Sequence, residues 1–308
     1  MIYFDLSSRN DIINYHFNEL ESLLKNRINN SQFNNNQKKF LLNNLESIIT
    51  KQPTDLLSLN NRFKSIKGRK NQNSNSILKK IFNYTQFRKK EEKNYDAYDL
   101  AKSLDVRVCL YCNRMYTLTV KTGNGEKQHI TRPEFDHFFD QATYPMLALS
   151  IYNLIPSCTI CNSTLKGSVK FDLSKHIHPY IDNCISNYRY TFRPYDVTSI
   201  LGNSSNLEIE IIADKTPISN KLKTTVDVFR LEAILNGHTE ELKDLFDIRY
   251  RFSKTYLDQL FSIYNSLGIL YDEVYRIAFG VHYNESDFGR RPFSKLKKDL
   301  LKELEIIK

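Results

Sequence analysis

The 308-residue chain has no tryptophan, only nine glycines and eight prolines, and five cysteines. So little glycine and proline excludes a fibrous repeat or a linker-like chain. Five cysteines are too few for a disulfide scaffold of this length, and they fit a reducing compartment where thiols bind metal. No apolar run approaches the roughly 18–20 residues of a membrane span, so no membrane association is expected. The opening Met1-Ile2-Tyr3-Phe4-Asp5 lacks a basic stretch followed by an apolar one. The expectation is a cytoplasmic chain without a secretory signal. What the chain does have is 41% apolar residues, enough to bury a core, and a formal charge of +9.

That charge is uneven. Residues 51–105 hold thirteen Lys and Arg against six Asp and Glu, whereas residues 171–308 hold nineteen against twenty. A basic stretch attracts polyanions without choosing a sequence, although a solvated helical face has the same composition. Helical spacing runs through 11–28 (Ile12, Ile13, Phe17, Leu20, Leu23, Leu24, Ile28) and 37–49 (Phe40, Leu41, Leu42, Leu45, Ile48, Ile49). The basic, Asn/Ser-rich run 64–76 reads as a loop, followed by helices over 77–87 and 96–104. Strands are expected over 114–120, 134–138 and 153–155, with a helix capped by Ser157. Residues 187–192 and 206–212 alternate as a strand pair. Helices fill the remainder, the last over 294–307 with Ser294 as its cap. The expected class is α+β, with mostly helical flanks around a small central module. The expected divisions are 1–105, 106–175 and 176–308.

Four of the cysteines form two matched pairs, Cys109-x2-Cys112 and Cys158-x2-Cys161, separated by a 45-residue insert. Two C-x2-C pairs supply the four thiolates of a closed tetrahedral Zn2+ site, which staples rather than catalyses. Cys184 is left over as an ordinary buried thiol.

The insert carries chemistry of its own. Asp136-His137 places a carboxylate beside an imidazole, a metal ligand beside a base suited to neutral pH. In a regular strand the two point to opposite faces, so both serve one site only if the strand ends or bends there. The Asn162 amide oxygen can complete a hard-ion site for Mg2+ or Mn2+, leaving positions open for water and phosphate. Lys166, four residues on, shares its face and can hold a phosphate. Glu134 lies on the strand face of Asp136 and reads as packing or as an orienting group.

The whole string, C-x2-C, then Asp-His, then Asn153-Leu154-Ile155-Pro156-x-Cys158-x2-Cys161-Asn162-x3-Lys166-Gly167, resembles the HNH endonucleases of the ββα-metal group. The resemblance covers about residues 106–170. It implies a zinc-stapled ββα-metal nuclease module with Asp136 and Asn162 as metal ligands, His137 as the base and Asn153 as the residue that orients the His-bearing loop. Asn162 stands where many members have His. The longer string from Tyr144 to Cys158 is similar to the HNH subunits of bacterial anti-phage systems of the Septu type. So is the closing stretch Tyr275-Arg276-x2-Phe279-Gly280 with Arg291-Pro292-x-Ser294-Lys295-Leu296. That resemblance implies an ATPase partner encoded with the nuclease.

On this reading the substrate is nucleic acid, DNA favoured, with phosphate contacts from Lys166, Arg114, Lys79, Lys80, Arg88, Lys89 and Lys90. A ribonuclease with the same metal site is an alternative. So is a non-catalytic zinc module that binds nucleic acid or a partner, although it leaves the placement of Asp136, His137, Asn153 and Asn162 unexplained.

Overall fold

The computed structural model describes residues 1–66, 72–89, 95–122, 129–251 and 254–307. The chain divides into two compact units, one of Asp5–Val106 with Thr117–Ser174, the other of Met1–Phe4, Arg107–Tyr116 and Lys175–Lys308. The architecture is α+β, with small antiparallel sheets of two strands each.

In the first unit, α1 (Asn10–Asn29) buries Ile12, Ile13, His16, Leu20, Leu24 and Ile28. His16 joins the apolar stripe, whereas Leu23 is exposed and Phe17 only half-buried. The expected helix over 37–49 is two helices, α2 (Asn35–Asn43) and α3 (Leu45–Thr50). Asn44 interrupts them, and its side-chain amide donates to the Phe40 carbonyl at 2.7 Å. An Asn34–Gln37 capping box starts α2. Pro at the first position starts α4 (Pro53–Ser65). Of the loop expected over 64–76, residues 67–71 lie outside the described residues, and its two ends are helical instead. Lys64 and Ser65 close α4, and 72–76 lie in α5 (Gln72–Ile81). Ile77, Leu78 and Ile81 are buried, and that burial supports a helix whose polar first half has no period of its own. The helix expected to reach Phe87 stops at Ile81. Asn83 then caps a separate turn, α6 (Tyr84–Arg88), accepting from the Gln86 amide at 3.0 Å. Asp96 caps α7 (Ala97–Leu104).

The strand expected over 114–120 is mostly absent. β1 (Val120–Lys121) pairs with β2 (His129–Thr131), and Tyr116 makes a single bridge to Val108. β3 (Glu134–His137) pairs antiparallel with β4 (Leu154–Ser157), Glu134 opposite Ser157 and His137 opposite Leu154. Ser157 is therefore extended and caps nothing. Its hydroxyl donates to the Glu134 carbonyl at 3.3 Å, and the helical turn that follows, Ile160–Lys166, is π-helical.

In the second unit, β5 (Tyr188–Pro194) pairs antiparallel with β6 (Leu207–Ala213), seven residues in register, and α8 (Val197–Ile200) lies between them in the sequence. Helices α9 (Pro217–Phe229), α10 (Leu231–Leu235), α11 (Thr239–Arg251), α12 (Lys254–Ser266) and α13 (Tyr271–Phe279) lead to α14 (Ser294–Glu303). α14 packs on β5, where the Asp299 carboxylate accepts from the Tyr190 amide at 3.0 Å. Ser294 begins α14 but does not cap it, because its hydroxyl donates back to the Arg291 carbonyl at 2.9 Å. No helix among the described residues is long and apolar enough to cross a membrane.

Candidate functional site

The first unit holds an open cleft of about 510 Å³. Glu134, Asp136 and His137 from β3, and Asn162, Ser163 and Lys166 from the π turn, line it together. Hairpin β3–β4 and the turn after it thus bring both halves of the sequence motif to one place. The strand problem posed by Asp136 and His137 is resolved because β3 ends at His137. Phe135, between Glu134 and Asp136, is itself buried and also borders the cleft.

Asn153 explains why β3 ends there. Its side-chain oxygen accepts from the Phe139 amide at 2.7 Å, and its amide nitrogen donates to the carbonyls of Phe139 at 3.1 Å and Leu147 at 3.0 Å. Its own carbonyl takes the Phe138 amide at 3.1 Å. The residue is fully buried, and it clamps the chain as it leaves the strand.

His137 is half-buried. Its Nε2 lies 3.0 Å from the Ala148 carbonyl. A carbonyl only accepts, so Nε2 carries the hydrogen and the lone pair of the neutral ring is on Nδ1. Burial lowers the imidazole's pKa, against opposing contributions from the Ala148 bond and Asp136, so the ring is neutral at pH 7. The Tyr84 ring packs edge-on against it, centroids 4.4 Å apart, and the Tyr84 hydroxyl donates to the Phe135 carbonyl at 3.3 Å.

Glu134 is not mere packing. Its carboxylate accepts from Thr159 at 3.1 Å, the Asn162 amide at 2.8 Å and Ser163 at 3.0 Å. A carboxylate accepts only, so the Asn162 nitrogen faces Glu134 and the Asn162 oxygen is left for another partner. Lys166 does not stand free for phosphate as its spacing suggested. Its ammonium donates to Asp136 Oδ1 and to the His137 carbonyl, each at 2.6 Å.

The remaining basic candidates divide. Arg88 lines the cleft. Lys79, Lys80 and Lys89 are exposed but do not line it. Arg114 belongs to the second unit, 3.2 Å from His238 Nε2, and Lys90 lies outside the described residues. Sequence reasoning missed Arg132, Lys170 and the packing of Tyr84, all lining the cleft. Arg132 and Lys170 flank the motif closely enough to have been found. Tyr84 is 53 positions before His137, and no pattern links them.

All five cysteines are buried and free of disulfides. The Sγ atoms of Cys109, Cys112, Cys158 and Cys161 lie within 4.8 Å of one another, a group that can hold a metal such as zinc. The local turns suit thiolate ligands. The Cys161 amide donates to Cys158 Sγ at 3.4 Å. The Asn113 amide returns to the Cys109 carbonyl at 2.9 Å, with Asn113 left-handed at φ +49°. The closing motif supports that second turn. The Asn113 side-chain amide donates to the Phe288 carbonyl at 2.9 Å, the Phe293 amide donates to the Asn113 carbonyl at 2.7 Å, and Arg291 donates to the Gly280 carbonyl at 2.9 Å. Cys184 is buried elsewhere, and burial raises its thiol pKa.

The chain matches no family model, no curated protein and no solved structure.

Proposed function

We propose that the cleft is the active site of a metal-dependent endonuclease of the HNH type that hydrolyses phosphodiester bonds, DNA before RNA. One observation carries the reading. Asp136, His137, Asn162 and Lys166 line one cleft, with the His137 tautomer set so that Nδ1 holds the lone pair. The donor set suits a hard divalent ion, because Asp136 offers carboxylate oxygen and Asn162 an amide oxygen. Those two residues would hold Mg2+ or Mn2+, which when bound stabilises charge on a phosphate oxygen. His137 Nδ1 takes a proton from water. The water oxygen bonds to phosphorus as the bond to the 3′ oxygen breaks, leaving a 5′-phosphate. The 3′ oxygen takes a proton from solvent, and His137 returns its own to solvent. Arg88, Arg132 and Lys170 form the cationic rim that receives the backbone.

The four-cysteine group is read as a structural Zn2+ site, since four buried thiolates leave no position for substrate. Resemblance in the 144–158 string and the closing motif supports the rest of the proposal. The protein is then a cytoplasmic effector in bacterial anti-phage defence that works with an ATPase partner.

The test is cleavage of supercoiled plasmid, linear DNA and RNA with Mg2+, Mn2+ or EDTA. Ion-dependent cutting that falls about 10²–10⁴-fold in His137→Ala, with zinc content unchanged, is the expected result. Wild-type rates in His137→Ala would overturn the mechanism. A folded, zinc-loaded wild type that cuts nothing, alone or with a co-purifying ATPase, would favour the non-catalytic zinc module.

A further inference from the structure

We infer that Lys166 is the resident counter-ion of Asp136, and that a divalent ion entering the cleft must displace its ammonium from that carboxylate. The inference rests on the nuclease reading, which makes Asp136 the ion's anchor.

Three features of the Lys166 head group support it. The ammonium is 2.6 Å from Asp136 Oδ1 and 2.6 Å from the His137 carbonyl, distances of charge-assisted bonds. It lies 4.7 Å from the centre of the Phe171 ring, which packs in turn on Phe138 at 5.5 Å. Both side chains of the pair are only 4% exposed although the pair borders an open cleft. A carboxylate so enclosed needs a positive partner, and Lys166 supplies one where the proposed ion would bind.

Lys166 is at the end of the π turn, where Gly167 reverses the chain and the Val169 amide closes on the Lys166 carbonyl at 2.8 Å. Its backbone is tethered, so displacement moves only the side chain. Two cations on one enclosed carboxylate repel each other strongly at low dielectric. Lys166 therefore opposes ion binding, and only when released can it meet a phosphate. Ion entry and phosphate capture are thereby coupled through one side chain. A purely structural ion pair makes the opposite prediction, that removing Lys166 merely damages the cleft and weakens any ion bound there.

The test measures Mn2+ affinity of the zinc-loaded full chain by the electron paramagnetic resonance of free Mn2+, without nucleic acid. Wild type, Lys166→Met, Lys166→Gln and Asp136→Asn are compared. Both lysine variants are expected to bind Mn2+ about tenfold more tightly than wild type, and Asp136→Asn to lose that binding. Equal or weaker affinity in both lysine variants, with binding still lost in Asp136→Asn, overturns the role of Lys166 and leaves the nuclease reading standing. Unchanged Mn2+ binding in Asp136→Asn overturns the nuclease reading itself. If the ion-free lysine variants are unfolded, recovery of the wild-type thermal transition on adding Mn2+ supports the inference. Failure of both to recover overturns it.

Discussion

Asn153 uses both polar atoms of its amide on the backbone around it, three bonds in all with no exposed surface. The isosteric change Asn153→Asp tests that clamp. It keeps the shape but sets a carboxylate oxygen against the carbonyls of Phe139 and Leu147. The expected loss is about 2–4 kcal/mol in urea unfolding, and an unchanged midpoint would refute the clamp. Glu134 acts through Asn162, whose amide it orients. Glu134→Gln can meet Asn162 with either end of its own amide, so the orientation is no longer dictated. Mn2+ affinity is expected to fall about 10–100-fold with zinc content unchanged. Asp136, His137, Asn153 and Asn162 were all legible as a motif. The bond from Lys166 to Asp136 was not, because spacing along the chain says nothing about the partner a long side chain selects.

At the scale of elements, the π turn Ile160–Lys166 brings Cys161, Asn162 and Lys166 into one short segment. It ends where the Gly167 amide donates to the Asn162 carbonyl at 3.0 Å, with Gly167 at φ +47° and ψ −116°. A β-carbon there would meet only the Ser163 carbonyl oxygen at 3.6 Å, an ordinary contact. The cost of Gly167→Ala thus lies in the backbone, about 1–3 kcal/mol. The expected readout is a lower thermal midpoint together with weaker Mn2+ binding, since the proposed ligand Asn162 moves with the turn. Sequence periodicity located this helix but not its type, because the type rests on a backbone bond spanning five residues, Gly167 amide to Asn162 carbonyl, that apolar spacing does not reveal. The same limit explains 72–76, where burial of Ile77, Leu78 and Ile81 outweighs a composition that reads as loop.

At the scale of the molecule, acid stability rests partly on His16. It is fully buried in the first unit, 2.8 Å from the Tyr95 hydroxyl and 2.8 Å from the Leu149 carbonyl. Burial lowers its pKa to about 4 from an ordinary 6.5. The unfolded chain binds this proton first as pH falls. The stabilisation is therefore complete above pH 6.5 and is lost between pH 6.5 and about 4, a change of about 3 kcal/mol. Urea midpoints measured across that range should fall steeply for wild type and less steeply for His16→Gln. Metal removal is the second global test. Chelation of a Zn2+ held by the four cysteines is expected to lower the thermal midpoint by about 10 °C, and Cys158→Ser to reproduce the loss without chelator.

The sequence alone determined the α+β class, the paired cysteines and the Asp-His and Asn motif, because ligand chemistry and helical period are local properties of the chain. It also supplied the strand pair over 187–192 and 206–212, whose alternation is visible residue by residue and which forms as Tyr188–Pro194 and Leu207–Ala213. Tertiary structure decided which polar groups spend their bonds on one another. It placed Tyr84 against His137 across 53 positions, gave Glu134 three donors and set Lys166 on Asp136. Those choices depend on burial, where an enclosed charge or donor must be satisfied by whatever group the fold brings within reach.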